Sequence, residues 1–192
     1  ERLDLREQDR SMAMVSTVGA DLGHTVLFGA LCSGRLLHLI PPQCSFDPDA
    51  MASYMEQHQV DVLKIVPSHL QALLHAASPA SVLPRSRLVL GGEATRKPLL
   101  THIASLRPQC RVMNHYGPTE TTVGVLTQEA SSALDEADSL PIGQFGAQCR
   151  SHVESQGNGP HSFASLLRLC SGTAAEPTPP SRSSSHCGVA IH

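Results

Sequence analysis

Short β-branched apolar segments, each followed closely by a helix-opening signal, constrain the fold of this chain more than any other feature. Val60 to Val66 (VDVLKIV) is β-branched and apolar and reads as a strand. Pro67-Ser68 then opens a helix over residues 68–77. Ser86 to Leu90 is a second apolar strand running into Gly91-Gly92, followed by a helix over 97–107 and a strand from Arg111 to Asn114. Strands alternating with helices at this pitch predict an α/β domain with a largely parallel sheet flanked by helices. In such sheets the working residues gather at the carboxyl ends of the strands. Lys64, Gly91-Gly92-Glu93 and the Tyr116-Gly117-Pro118 turn all fall there.

The amino-terminal part fits the same plan. Residues 1–10 are charged and helix-compatible, and the stretch from 12 to 42 is almost free of charge. Within it Val26, Leu27, Ala30 and Leu31 follow helical spacing, with Gly34 placed to end the helix. Leu36 to Ile40 reads as a short buried strand, stopped by Pro41 and Pro42. Asp47 and Pro48 supply an N-cap and a first helical residue for a helix over 47–59.

Composition narrows the class of function. A net charge of -3 with no basic stripe argues against nucleic acid as a partner. No apolar run approaches the roughly 20 residues a membrane-spanning helix needs, and no secretory leader is visible, so the expected compartment is the cytoplasm. The six cysteines form no C-x-x-C pair, and the separation of six between His69 and His75 does not align them on one helix face. Free thiols are expected rather than a structural metal site.

Residues 114–122 read NHYGPTETT. A strand ends, a Gly-Pro turn follows, and hydroxyl and carboxylate side chains are then projected together from the strand's end. Thr119, Thr121 and Thr122 can donate to phosphate oxygens, and Glu120 can hold a magnesium ion bridging them. A plain β-turn with solvated threonines is the competing reading of the same residues. The string Tyr-Gly-Pro-Thr-Glu resembles the core motif of the adenylate-forming (AMP-binding) superfamily, which includes acyl-CoA synthetases, luciferases and adenylation domains of nonribosomal peptide synthetases. Three further segments resemble that family in the same order. They are residues 16–40, LVLGGEAT at 88–95, and Leu140-Pro141-Ile142-Gly143.

The resemblance implies a fold and a site. The fold would be part of the large N-terminal subdomain of the acyl-CoA synthetase/luciferase-like architecture, with the adenylation core over 1–143 and a non-homologous tail over 144–192. Tyr116 would pack on adenine, Thr119 would contact the α-phosphate, and Glu120 would bind magnesium. Gly92, Glu93, Ala94, Asn114 and Gly117 would complete the ATP/AMP site. Asp21 would meet the substrate's α-ammonium, although its place near a helix start also fits an N-cap. The side-chain pocket would fall on Asp21, Leu22, Thr25, Lys64, Val89, Gly91, His115, Val123 and Gly124. Lys64 interrupts an apolar strand, so it either faces an anion or snorkels to the sheet edge. With His115 beside it, the pattern is similar to that of aspartate-activating domains. L-Aspartate leads, with 3-hydroxyaspartate or asparagine behind it.

The implied reaction converts ATP and an amino acid to aminoacyl-adenylate and pyrophosphate. The acyl group then passes to the phosphopantetheine of a peptidyl carrier protein, with a condensation domain of the same synthetase as neighbour. A phosphate loop, the ribose-binding segment and a lid with its lysine are not found in these 192 residues, so an inactive internal fragment is expected. After Gly143 the Ser/Pro-rich composition predicts a disordered or frameshifted tail. Another adenylate-forming ligase and a non-catalytic binding remnant stay open as alternatives.

Overall fold

The computed structural model describes residues 3, 5–117, 126–130, 139 and 144–145. In chain order the elements are β1 (Ser11–Met14), α1 (Asp21–Ser33), β2 (Leu36–Leu39), α2 (Pro42–Ser45) and α3 (Pro48–His58). They continue as β3 (Val62–Ile65), α4 (Pro67–Leu73), α5 (Pro79–Val82), β4 (Arg87–Gly91) and α6 (Lys97–Leu106). The last three are the strands β5 (Arg111–Tyr116), β6 (Leu126–Glu129) and β7 (Gln144–Phe145).

One sheet takes the spatial order β2-β1-β3-β4-β5-β6-β7. The first five strands in that order are parallel, and β6 and β7 add antiparallel pairings. Alternation along the strands sorts the core onto two faces. Leu63, Ile65, Leu88 and Leu90 join Met51, Met55, Leu70 and Ile103 on one side. Met12, Met14, Val62 and Val89 join Val26 and Ala30 of α1 on the other. Lys64 and Gly91 continue the alternation of Val62 and Val89, so they belong to the α1 face.

Local chemistry explains the helix ends. Gly34 closes α1 in the left-handed region at φ 67°, and the Arg35 N–H reaches the Ala30 carbonyl at 2.9 Å. The Asp47 carboxylate accepts from the Ala50 N–H at 2.8 Å and caps α3. At the amino ends of the strands, Asp61 Oδ2 accepts from the backbone N–H of Arg10 and of Ser11, at 2.7 and 3.1 Å. That carboxylate ties the start of β1 to the start of β3.

Several expectations need correction. No helix forms among the described residues of 1–10; Leu3 is buried beside α1, and a turn brings the Arg6 N–H to the Asp9 carboxylate. The Leu36–Leu39 strand lies at the sheet edge, with Leu36 and Leu39 exposed, because it pairs on one side only. α4 ends at Leu73, short of the expected residue 77. β1 had no expectation at all: Ser-Met-Ala-Met carries no β-branched residue, yet all four positions are buried. Among the described residues no helix is long and apolar enough to cross a membrane.

One polar cluster is expected to make stability depend on pH. His38 of β2 is buried, and its Nδ1 lies 3.0 Å from the Tyr54 hydroxyl of α3. Burial lowers the His38 pKa from its ordinary 6.5, the nearby His58 lowers it further, and Asp61 partly opposes both. Tyr54 is itself raised, by burial first and by Cys44 second. Because the imidazolium is disfavoured in the fold, His38 contributes fully above pH 6.5 and loses that contribution as pH falls through its lowered value. Thermal melts of the chain should therefore weaken from neutral to mildly acidic pH, and His38→Gln should flatten that slope. Equal slopes for parent and variant would refute it.

Candidate active site

At the carboxyl end of the sheet, the α1 face gathers a polar cluster from three neighbouring strand ends and one helix. Lys64 stands near the end of β3, which lies between β1 and β4 rather than at an edge, and it is 3% exposed. The snorkelling reading therefore fails on position alone. Its Nζ donates to Thr25 Oγ1 of α1 at 2.7 Å and lies 3.0 Å from His115 Nδ1 of β5. With Lys64 as ammonium, Nδ1 accepts, which leaves the ring proton on Nε2 and makes the imidazole a donor at its far side. His115 is buried at 2% exposure.

Between those two side chains runs Gly91, the last residue of β4 and the register partner of His115. A Cβ at this position would lie 2.7 Å from the His115 carbonyl oxygen, 3.6 Å from Leu22 Cδ1 and 3.7 Å from Lys64 Cε. Leu22, Lys64, Gly91 and His115 thus pack around one point, with Thr25 Oγ1 accepting from Lys64 Nζ. Val89 is the register partner of Lys64 and sits deeper, in the apolar cluster under α1.

α1 can sit this low because of Gly23, whose added Cβ would come within 2.6 Å of both Met14 Sδ and Ser16 Oγ. Asp21 is the first residue of α1, and Ala20 holds the N-cap position. Its carboxylate therefore stands in the first turn, where the helix dipole favours negative charge, and not at the cap.

The loop after β4 carries Gly92, Glu93 and Ala94, all exposed. Gly92 adopts φ 86°, a conformation that suits glycine. The Glu93 carboxylate accepts from the Ser68 hydroxyl at 2.8 Å and from the Ser68 N–H at 3.1 Å. Ser68 had not been expected here; the Pro67-Ser68 helix opening was legible, but a partner 25 residues away was not. On β5, alternation puts Asn114 on the face opposite His115, paired with Leu90. Tyr116 and Gly117 are half-buried at the strand's end, and burial raises the Tyr116 phenol above its ordinary value. Thr119, Glu120, Val123, Gly124 and the Leu140–Gly143 segment lie outside the described residues. The magnesium assignment rests on Glu120 and so lies outside them too.

Comparison with known proteins agrees with this architecture. A family model described as AMP-binding enzyme matches residues 1–162, beyond the expected core boundary at 143. Bacitracin synthase 3 of Bacillus licheniformis is 34% identical over 123 residues, covering 62% of this chain and 2% of that protein. Surfactin synthase subunit 2 of Bacillus subtilis is 32% identical over 132 residues, covering 66% of this chain and 4% of that protein. The Vibrio cholerae adenylation domain AlmE, crystallised with glycyl-adenosine-5'-phosphate, superposes with a TM-score of 0.63 at 26% identity, over 77% of this chain and 27% of that one. The chain thus spans a small part of each relative's length, while the match covers most of its own. It belongs to the AMP-binding enzyme family, and the relatives it resembles are nonribosomal peptide synthetases and an adenylation domain.

Proposed function

We propose that this chain holds the amino-acid pocket and part of the nucleotide site of an aspartate-activating adenylation domain. In the reaction, a carboxylate oxygen of the amino acid attacks the α-phosphorus of ATP and pyrophosphate leaves. A carrier-protein phosphopantetheine thiol then attacks the aminoacyl carbonyl and AMP leaves. Asp21 would receive the substrate's ammonium, each charge offsetting the other's desolvation. Tyr116 would pack on adenine, and Thr119 would donate to the α-phosphate. Magnesium, held by Glu120, would offset charge on the phosphate oxygens.

The observation that carries the substrate reading is the buried Nζ of Lys64, 2.7 Å from Thr25 Oγ1 and 3.0 Å from His115 Nδ1, beside the side-chain-free Gly91. A Lys64 that keeps its proton at that depth favours a ligand of opposite charge. We read Leu22, Lys64, Gly91 and His115 as the walls of a recess for a short acidic side chain. A β-carboxylate fits that reading.

ATP–pyrophosphate exchange across the amino acids, with the chain restored to a full-length domain, tests the reading. Aspartate should drive the exchange. His115→Glu should weaken aspartate by about tenfold or more and shift preference toward asparagine, since a carboxylate there repels an acid and accepts from an amide. Exchange driven by phenylalanine or by a fatty acid, but not by aspartate, would sink it.

A further inference from the structure

The strands bearing Lys64 and Gly91 are neighbours, paired in parallel from Val62↔Arg87 to Ile65↔Leu90. Beyond those residues the ladder ends, and β3 turns into α4 while β4 turns into the loop leading to α6. The bidentate contact of Glu93 with Ser68 spans that gap. Ser68 follows Lys64 by four residues and Glu93 follows Gly91 by two, so the contact joins the two segments that leave these strands at their carboxyl ends. Gly92, next to Glu93, comes near side chains of both β3–α4 and α1. An added Cβ would be 3.7 Å from Val66 Cγ2 and 3.8 Å from Leu22 Cδ1.

We infer that Glu93 is a positioning residue. Its carboxylate clamps the β4–α6 loop to the β3–α4 turn, and so sets the width of the recess bounded by Leu22, Lys64 and Gly91, without itself touching nucleotide or amino acid. The inference rests on reading that recess as the amino-acid site. A carboxylate suits the task because both of its oxygens accept. Glutamine offers one acceptor, and its NH₂ cannot receive the Ser68 N–H. Both groups are exposed, so the clamp adds little to global stability, and its effect is geometric. A displaced loop loosens everything that the recess and the adjoining loop hold, so the affinities for amino acid and ATP should change together.

The test is a double-mutant cycle in the full-length domain, read by steady-state exchange and by hydrogen–deuterium exchange. Glu93→Ala should raise KM for aspartate and for ATP together by about tenfold, with kcat within about threefold. Ser68→Ala should raise both by about threefold in the parent, yet have no further effect in the Glu93→Ala background, because its partner is already gone. Ser68→Thr keeps the hydroxyl and the N–H and should match the parent. Additive effects, or a Glu93→Ala effect confined to ATP, would overturn the inference, because the carboxylate would then act on the nucleotide directly. Unchanged KM values in both variants would overturn it as well.

If the parent domain exchanges with no amino acid, the proposed function fails, and amide exchange then judges the clamp by itself. Simultaneous loss of protection at residues 68–70 and 92–95 in Glu93→Ala supports it. Unaltered protection at either segment refutes it.

Discussion

Lys64→Ala should lower kcat/KM for aspartate by about two orders of magnitude in the full-length domain, the usual scale for truncating one partner of a buried, hydrogen-bonded charge pair. Lys64 is 3% exposed on a central strand, and its ammonium is held by Thr25 and His115 at 2.7 and 3.0 Å. A carboxylate entering the recess would find that charge already oriented, with solvent excluded. Neutral substrates make no use of it, so their weak background exchange should be little affected. Lys64→Met separates charge from packing. It keeps most of the side chain's length but removes the cost of burying an ammonium, so the folded chain should melt at the same temperature or higher while aspartate exchange still collapses. Thermal melts and exchange assays on the same preparations provide both readouts. Aspartate turnover that survives in both variants would mean that the ammonium serves the fold alone.

The sequence made Lys64 conspicuous for a simple reason: one cation in an otherwise apolar strand breaks a pattern that needs no partner to be seen. What holds it was not readable in that way. Thr25 lies 39 residues before Lys64 and His115 lies 51 after it, and only the parallel register of β3, β4 and β5 brings the three together. The resemblance to adenylation domains put all three in one pocket; composition and spacing did not. Helix ends were legible wherever the chemistry is local. Asp47-Pro48 and Gly34 satisfy backbone groups within a few residues of themselves.

Strand identity was harder where propensity and context disagree. Ser-Met-Ala-Met becomes the buried strand β1 because it fits between β2 and β3, not because its residues favour extension. Leu36–Leu39 looks buried by composition, and its exposure comes from its place at the edge of the sheet. The Glu93–Ser68 clamp shows the same limit within the site. A glutamate in a loop reads as a ligand-binding group, and its contact with the start of a helix 25 residues earlier is set only by the fold.

Gly91→Ala should be the most damaging single methyl that can be added at this site. The new Cβ would stand 2.7 Å from the His115 carbonyl oxygen, a backbone atom that cannot rotate away as a side chain could. Relief requires β4 and β5 to separate at their paired ends, where Gly91 and His115 are register partners. Overpacking of this kind costs about 1–3 kcal/mol in stability. The larger consequence falls on geometry, because any shift of His115 lengthens its 3.0 Å contact with Lys64. The methyl also points toward Leu22 and Lys64, so it occupies part of the volume proposed for the substrate side chain. Aspartate activation should fall by about a hundredfold, through both KM and kcat, consistent with the sensitivity of catalysis to small displacements. Gly92→Ala supplies the contrast. Its Cβ would meet nothing closer than 3.7 Å, but φ 86° strains any L side chain, so a cost of about 1 kcal/mol without a comparable loss of aspartate selectivity is expected. Titrating aspartate, asparagine and ATP against the two variants separates steric filling of the recess from loop strain. A Gly91→Ala domain that still prefers aspartate at parental KM would show that the substrate side chain lies elsewhere.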